Sequence, residues 1–346
     1  MTKQLTIAMP SYNVEALIGR GLESLADPRL ADALEVVVVD DGSTDGTADV
    51  ARRFVEACPD VFRLVSKTNG GHGSAVNAGL DVACGRYFRV VDADDWVDAD
   101  GLAEELSLLR RIDSDIVVDV RRDVHMETGE TELKSLPNGL PLGCEVPFSD
   151  ISDEVARTNS VSIHTVSGRT DFLRSCGVRL LERTFYVDTQ FIVEATSQAA
   201  TVTVLDIEVY QYLVGNAAQS VAAESFVARF SDHDRVVREV CRFVEERLVD
   251  PGTTSEAAEY LRLRARLLVN THYNVMLVYD RDRRRGRARA RSFRAWLGQE
   301  HPWLKRATDG RYFSALAAGA ARLDAASLDR MLGRMNHEAR PHSTTS

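Results

Sequence analysis

The stretch YFRVVDADDW, residues 87–96, ends an apolar run with three carboxylates in four positions, Asp92, Asp94 and Asp95. Carboxylates this close raise one another's pKa unless solvent or a cation lies between them. The apolar run is short and rich in aromatic and β-branched residues, which favours a strand buried on both faces. The cluster therefore predicts either open solvent or a cation site at the end of a buried strand.

Strands of the same kind recur along the first third of the chain. They are LTIAM (5–9), EVVVV (35–39), VFRLV (61–65) and DIVVDV (115–120). Helices are predicted between them at about 14–26, 45–57, 73–84 and 99–111. Asp45 or Thr47 is the expected cap of the second helix, whose apolar stripe is Val50, Phe54, Val55 and Cys58. This alternation predicts an α/β fold around a parallel sheet.

The composition is that of a globular protein, with 346 residues, 44% hydrophobic and 27% charged. A formal net charge of −10 argues against nucleic acid as a partner, because duplex binding rests on basic surface. Five scattered cysteines without a C-x-x-C pair favour a reduced protein without structural zinc. No segment approaches the ~20 apolar residues that span a bilayer. We therefore expect a cytoplasmic protein, one that can still act at the inner face of the membrane.

Polar segments follow each of the first four strands. They are PSYN (10–13), DDGSTD (40–45), KTNGGHGSAVNAG (67–79) and DADDW (92–96). Each alone can be read as turn or helix-start chemistry. Ligands of open α/β sheets bind beyond the carboxyl ends of the strands, so we expect all four segments on one rim. Together they suit a nucleotide with a metal-bound diphosphate, since Mg²⁺ or Mn²⁺ takes carboxylate oxygens.

These segments resemble the signature of family 2 glycosyltransferases of the GT-A fold. The resemblance is dense over residues 5–100, and ERTFYVDTQFIVEA (182–195) and YQYLVGNAAQSV (210–221) are similar to later family segments. It implies an α/β fold, a GT-A-type Rossmann-like nucleotide-binding sheet with a C-terminal helical region. It also implies inverting transfer of sugar from a nucleoside diphosphate sugar, here a UDP-sugar. The acceptor would be a hydroxyl of a saccharide, polymer or lipid-linked molecule.

The resemblance also implies residue roles. Tyr12 would stack on the nucleobase and Asp41 would hydrogen-bond to it. Asp94 would ligate Mn²⁺ or Mg²⁺, whereas Asp95 is expected to cap the following helix. Asp188 lies where the family places its general base, although it could instead only cap the helix that it begins. The remaining donor-binding positions are Pro10, Asn69, Gly71, Gly73, Asp92 and Ala93.

Two histidines and an arginine cluster need separate interpretation. His72 lies in the glycine loop and His164 in VSIHTVSGR, and neither is expected to be a metal ligand. The cluster RDRRRGRARARSFR, residues 281–294, is most simply a solvated helix end. Its alternative interpretation is contact with anionic lipid or an anionic polymer acceptor, which would imply peripheral membrane association.

The pattern after residue 120 is less regular. A hairpin or loop is predicted at 121–150, helices at 169–176 and 188–199, and one or two strands at 200–214. Helices are predicted from about 222 onward, most clearly at 225–249, 253–280 and 311–332. The predicted domains are 1–215, divided into a nucleotide-binding half 1–115 and an acceptor-side half 116–215, then a helical region 216–336 and a flexible tail 337–346. The C-terminal helices are candidates for homo-oligomer contacts.

Three other functions fit less well. A dinucleotide-dependent dehydrogenase would carry G-x-G-x-x-G after the first strand, whereas here the glycines follow the third strand and Val76 takes the sixth position. A D-x-D phosphatase has Thr or Val where Trp96 stands. A nucleotide-sugar-binding module without transferase activity would keep the donor rim but would lack a base, and Asp188 argues against it.

Overall fold

The computed structural model describes residues 3–158, 160–215, 223–323 and 327. The chain divides into two compact units, Met1–Gln219 with Pro251–Leu261, and Ser220–Asp250 with Arg262–Ser346. The sequence pattern did not indicate that Pro251–Leu261 groups with the first unit. Residues 216–222, which follow the predicted domain boundary at residue 215, and the tail 337–346 lie outside the described residues.

A ten-stranded sheet forms the centre of the first unit. Its strands are β1 Leu5–Ser11, β2 Leu34–Asp40, β3 Phe62–Ser66, β4 Tyr87–Val90, β5 Trp96–Val97, β6 Ile116–His125, β7 Thr131–Lys134, β8 Glu145–Pro147, β9 Val166–Arg169 and β10 Thr201–Val214. The order is β3-β2-β1-β4-β9-β6-β10-β5, with β7 beside β6 and β8 beside β10. The four N-terminal strands are parallel, as predicted, so their carboxyl ends reach one edge.

The sequence pattern did not predict β9, which makes the sheet mixed. This strand lies between β4 and β6 and is antiparallel to both, with Gly168 opposite Phe88 on one side and Ile116 on the other. A Cβ at Gly168 would lie 2.8 Å from the Leu173 side chain, so glycine allows the following helix to pack closely. The sequence VSGR is too short and too weakly apolar to signal a strand.

The apolar runs of β1 and β2 are explained by burial on both faces. On one face Leu5, Ile7 and Met9 join a large core with residues from the first helix. On the other face Val37 and Val39 pack with Ala75. Helices that cover both sides of the sheet leave the strand ends as the accessible edge.

Seven helices cover or flank this sheet within the described residues. They are α1 Ile18–Leu25, α2 Thr47–Ala57, α3 His72–Val82, α4 Ala99–Leu109, α5 Ser149–Thr158, α6 Thr170–Ser175 and α7 Val187–Thr196. The predicted α2 stripe packs against the core through Val50, Phe54 and Val55. Gly46 occupies the N-cap position of α2, and Asp45 accepts the backbone N–H of Thr47 at 3.0 Å.

The second unit is helical. The later helices are α8 Ala223–Ala228, α9 Phe230–Val249, α10 Ser255–Asn274, α11 Arg283–Glu300 and α12 Pro302–Ala320, with a π-helical turn at Val275–Tyr279. The predicted helix at 225–249 is thus interrupted between α8 and α9. The predicted helix at 311–332 begins earlier, because Pro302 can start a helix, and its end lies largely outside the described residues. In the part of the chain that is described, no helix is both long and apolar enough to span a bilayer.

Candidate active site

The loops after β1 and β2 are bonded to each other. Asn13 adopts a left-handed conformation with φ of 52°, which asparagine tolerates. Its backbone N–H donates to Ser43 Oγ at 3.1 Å, and its Oδ1 accepts the Thr44 N–H at 2.8 Å. The adjacent Tyr12 side chain remains 49% exposed. The predicted nucleobase platform is therefore an accessible ring on a fixed loop.

Asp41 holds the glycine loop. It is only 2% exposed, and its Oδ2 accepts the Gly71 N–H at 2.7 Å while Oδ1 accepts the Gly70 N–H at 3.0 Å. Lys67 Nζ lies 2.7 Å from the same carboxylate. Asp41 is thus a bonded support beneath the loop, and its predicted contact to the nucleobase stays a prediction.

The glycines allow the loop to approach the segment before α7. Gly71 has φ of +81°, and an added Cβ would lie 3.1 Å from the Arg183 nitrogen. A Cβ on Gly73 would lie 2.5 Å from the Leu181 carbonyl oxygen. Of the other predicted donor-binding residues, Asn69 is exposed beside this loop, whereas Pro10 and Ala93 are buried.

His72 links the D-x-D motif to the candidate base. Its Nε2 lies 3.0 Å from Asp92 Oδ1, and its Nδ1 lies 3.9 Å from Asp188 Oδ1. These three residues come from the end of β4, the start of α3 and the first turn of α7. Asp188 is half exposed and makes no capping hydrogen bond, because Tyr186 occupies the N-cap position. The helix-cap interpretation of Asp188 is therefore not supported by the structure.

The His72–Asp92 contact is an ion pair at neutral pH. Burial alone would lower the pKa of His72, but its hydrogen bond to Asp92 and the surrounding carboxylates raise it to about 9. Burial would likewise raise the pKa of Asp92, yet the hydrogen bond and charge of His72 lower it to about 2. Sequence reasoning placed His72 in the loop but missed this link, since it joins elements distant along the chain.

Asp95 faces the protein interior. It is 2% exposed, its Oδ1 accepts the Leu213 N–H at 2.7 Å and its Oδ2 accepts the Tyr210 hydroxyl at 2.6 Å. Burial first, and then repulsion from Asp92 and Asp94, raise the pKa of Asp95 to about 8. Asp95 thus anchors the acidic loop to β10.

The predicted helix-cap role of Asp95 is wrong. The cap of α4 is Asp98, whose Oδ1 accepts the Gly101 N–H at 2.8 Å. The reason is that β5, Trp96–Val97, pairs with β10 before the helix begins. The predicted helix start at residue 99 is confirmed, but a two-residue strand has no recognisable sequence pattern, so the cap was assigned three residues too early.

Arg89 and His164 form the wall behind the acidic loop. Arg89 is fully buried in β4 and donates to Asp119 of β6 and to the backbone carbonyl of His164. The His164 ring lies between Tyr210 and Tyr212, with ring centroids 4.9 and 5.1 Å away. The single arginine in an otherwise apolar strand was the only sequence signal for this arrangement.

His164 is a neutral, buried neighbour of the D-x-D motif. It is 9% exposed, and burial lowers its pKa. Its Nδ1 lies 3.9 Å from Asp92 Oδ2 and has no hydrogen-bond partner among the described residues. The unsatisfied nitrogen marks a polar gap beside Asp92.

The acidic loop has the chemistry of a cation site. Asp92, Asp95 and His164 each offer a ligand atom, all within 4.8 Å of one another. Asp95 is the least available of these, because both of its oxygens already accept hydrogen bonds. Asp94 lies half-buried on the same loop. Carboxylate oxygens suit a hard divalent ion, so the donor set fits Mg²⁺ or Mn²⁺, with Asp94 as ligand still a prediction.

The sheet and its rim define a class of protein. The first four strands are parallel, and the loops at their carboxyl ends lie at one edge of the sheet. The second half of the sheet has parallel and antiparallel pairs, and Asp188 follows in α7. This is the architecture of a GT-A glycosyltransferase. Residues 6–177 match the family model described as glycosyl transferase family 2. The chain belongs to that family.

Two curated relatives agree with this assignment, and a solved structure shares the fold. The chain is 34% identical over 130 residues to an uncharacterized glycosyltransferase, YibD of Escherichia coli, with 38% of this chain and 37% of YibD covered. It is 31% identical over 115 residues to glycosyltransferase GlyA of Streptococcus pneumoniae, covering 33% of this chain and 16% of GlyA. The chain thus aligns with well under two thirds of these relatives. S. aureus TarS 1-349 in complex with UDP-GlcNAc is similar in fold, with a TM-score of 0.60, 19% identity and 92% of both chains covered.

Proposed function

We propose that this protein transfers a sugar from a UDP-sugar to an acceptor hydroxyl with inversion at the anomeric carbon. The proposal rests mainly on the contacts of His72 with Asp188 and with Asp92. These contacts connect a half-exposed carboxylate, Asp188, to the D-x-D motif. The choice of UDP is supported by the complexes of S. aureus TarS 1-349 with UDP and UDP-GlcNAc. The acceptor class stays broad here: a saccharide, a polymer or a lipid-linked molecule.

The reaction needs a base and a stable leaving group. The acceptor oxygen bonds to the anomeric carbon as the bond from that carbon to the β-phosphate oxygen breaks, and UDP leaves with the electron pair. Asp188 takes the hydroxyl proton, because it is half exposed and faces the D-x-D loop through His72. Attack opposite the leaving group inverts the anomeric configuration.

The donor is held by the rim. Tyr12 offers its exposed ring to the nucleobase, and Asp41 keeps the glycine loop in position for the ribose and phosphates. Asp94, with Asp92 nearby, would hold Mn²⁺ or Mg²⁺. When bound, such an ion supplies positive charge against the negative charge that develops on the leaving diphosphate.

Two substitutions test the assigned roles. Asp94→Asn should weaken Mn²⁺-dependent UDP binding and abolish turnover together. Asp188→Asn should retain UDP binding but lose about 10²- to 10⁴-fold in rate, the usual cost of removing a general base. UDP affinity is measured by titration calorimetry with Mn²⁺ and with EDTA, and turnover by UDP release from a panel of UDP-sugars.

Asp171→Asn is the matched control, since Asp171 is an exposed carboxylate in the first turn of α6. It should leave binding and turnover unchanged. Wild-type turnover by Asp188→Asn would refute the base assignment while leaving the donor site intact. Equal UDP binding in Mn²⁺ and EDTA would remove the metal from the proposal.

The setting of this activity is also part of the proposal. We place the protein in the cytoplasm, able to work at the inner face of the membrane, with the C-terminal helices as the surface for self-association. Within the arginine cluster, Arg285 and Arg289 pair with Asp280, and Arg294 pairs with Asp309. Arg284, Arg287 and Arg291 are exposed on the same helix and would carry any contact with an anionic surface.

A further inference from the structure

A polar cleft of about 550 Å³ lies in the acceptor-side half of the first unit. It is bounded by Arg121 of β6, by β7 with the loop 135–138, and by four residues at and after the end of α5, which are Thr158, Ser160, Ser162 and Thr165. Its volume is within the range of sites for small ligands. None of the predicted donor-site residues lines it.

The cleft adjoins the candidate active site. Thr165, which lines the cleft, directly follows His164, whose Nδ1 lies 3.9 Å from Asp92. On the other side, the Arg121 guanidinium carbon lies 4.9 Å from the centre of the Tyr212 ring, and this ring packs against His164. The wall of the cleft is therefore continuous with the wall behind the acidic loop.

The charges of the cleft cancel. Arg121 Nε lies 3.1 Å from Asp123, and Lys134 Nζ lies 2.6 Å from Glu132 and 3.6 Å from Asp123. Each cation in the lining is thus matched by a carboxylate, so a phosphate- or sulfate-bearing ligand would have to break an existing pair. This arrangement favours a ligand without charge.

The remaining lining suits a sugar. The Ser135 and Asn138 side chains are exposed and make no hydrogen bond to another described residue, so they can bond to ligand hydroxyls. Leu133, Leu136 and Pro137 alternate with these groups and offer apolar surface to the C–H faces of sugar rings. Hydroxyl groups and apolar faces are the two surfaces of an uncharged saccharide.

We propose that this cleft binds an uncharged saccharide acceptor, with the acceptor chain running from the 135–138 loop toward His164. This rests on the proposed function, which it deepens by naming the acceptor as an uncharged saccharide. It also assigns Ser135 and Asn138 to acceptor binding, separate from the donor rim.

Saccharide binding to the full chain tests the proposal in the presence of UDP and Mn²⁺. The probes are cellotetraose, maltotetraose and N-acetylchitotetraose, with tetragalacturonate as the anionic counterpart, and binding is measured by saturation-transfer NMR. At least one neutral tetrasaccharide should bind more tightly than tetragalacturonate. Asn138→Trp and Ser135→Trp, at exposed positions where folding should survive, should each weaken that binding by about tenfold or more.

Glu127→Trp is the control, because Glu127 is exposed on the same hairpin but does not line the cleft. It should leave saccharide binding unchanged. Absence of binding by every neutral probe, preference for tetragalacturonate, or unchanged binding in both cleft variants would each overturn the proposal. Calorimetry with UDP on the same samples distinguishes failure of the proposed function from failure of the cleft proposal. If the wild-type protein does not bind UDP, the proposed function is contradicted. Whether the cleft binds an uncharged saccharide is still decided by the NMR measurement.

Discussion

Replacing His72 with glutamine should destabilise the protein by about 2 kcal/mol at pH 6. The pKa of His72 rises from 6.5 to about 9 in the folded state, which corresponds to roughly 3 kcal/mol at 1.36 kcal/mol per unit. The side chain is 30% exposed, so solvent screening reduces that figure. A hydrogen bond between charged groups contributes about 1.5–3 kcal/mol by mutation, which agrees with the lower value.

The destabilisation should depend on pH in a defined direction. Because the folded pKa of His72 lies above its unfolded value, its contribution is complete below about pH 6.5 and is lost as the pH rises through about 9. Because the folded pKa of Asp92 is lowered to about 2, its contribution is present above about pH 4 and is lost only in strong acid. The difference between wild type and His72→Gln should therefore be constant from about pH 4 to 6.5 and shrink toward zero near pH 10.

Urea unfolding of the nucleotide-free protein in EDTA measures this difference at several pH values. His125→Gln is the control, because His125 lies in β6 of the same unit and its side chain makes no ion pair among the described residues. Its effect on the free energy of unfolding is the baseline with which the His72→Gln difference is compared at each pH. A His72→Gln destabilisation that is the same at pH 6 and pH 10 would refute the ion-pair argument.

Two other predictions concern buried groups. Asp95→Ala should lower the free energy of unfolding by about 2–3 kcal/mol, because two buried donors from β10 lose their acceptor. Asp95→Asn keeps an acceptor and should lower it by less. Urea unfolding of both variants measures the difference. In the second unit, burial lowers the pKa of His233 to about 3. Because this residue is protonated at a higher pH in the unfolded chain than in the folded protein, stability falls as the pH drops below 6.5. The loss should reach about 2 kcal/mol at pH 5, and His233→Asn should reduce this slope in acid denaturation curves; an unchanged slope would contradict it.

The first four strands could be predicted because their environment leaves a direct sequence pattern. Burial on both faces requires continuous apolar residues, which EVVVV and LTIAM show. The polar segments that follow them had to share a rim once the strands were parallel, and the bonds between Asn13 and Ser43 and between Asp41 and Gly71 confirm this.

The remaining errors come from features without a local pattern. The strand β9 has four residues and takes its place through long-range pairing with β4 and β6. Arg89 interrupts an apolar strand and pairs with Asp119. This partner lies 30 residues away along the chain, so the local sequence does not explain the arginine. The bond between His72 and Asp92 depends in the same way on two loops meeting in space. Such pairs follow from tertiary packing, which local sequence periodicity does not contain.

The crowding of acidic residues at the end of β4 is resolved by three different environments. Asp95 is buried, its pKa is raised to about 8, and both of its oxygens accept hydrogen bonds from β10. Asp92 is ionised, but its charge is balanced by His72. Two further carboxylates, Asp94 on the same loop and Asp188 at 3.9 Å from His72 Nδ1, lie at this rim. A nucleoside diphosphate approaching this edge would be repelled unless a divalent cation accompanied it, and for that reason we expect donor binding to require the metal.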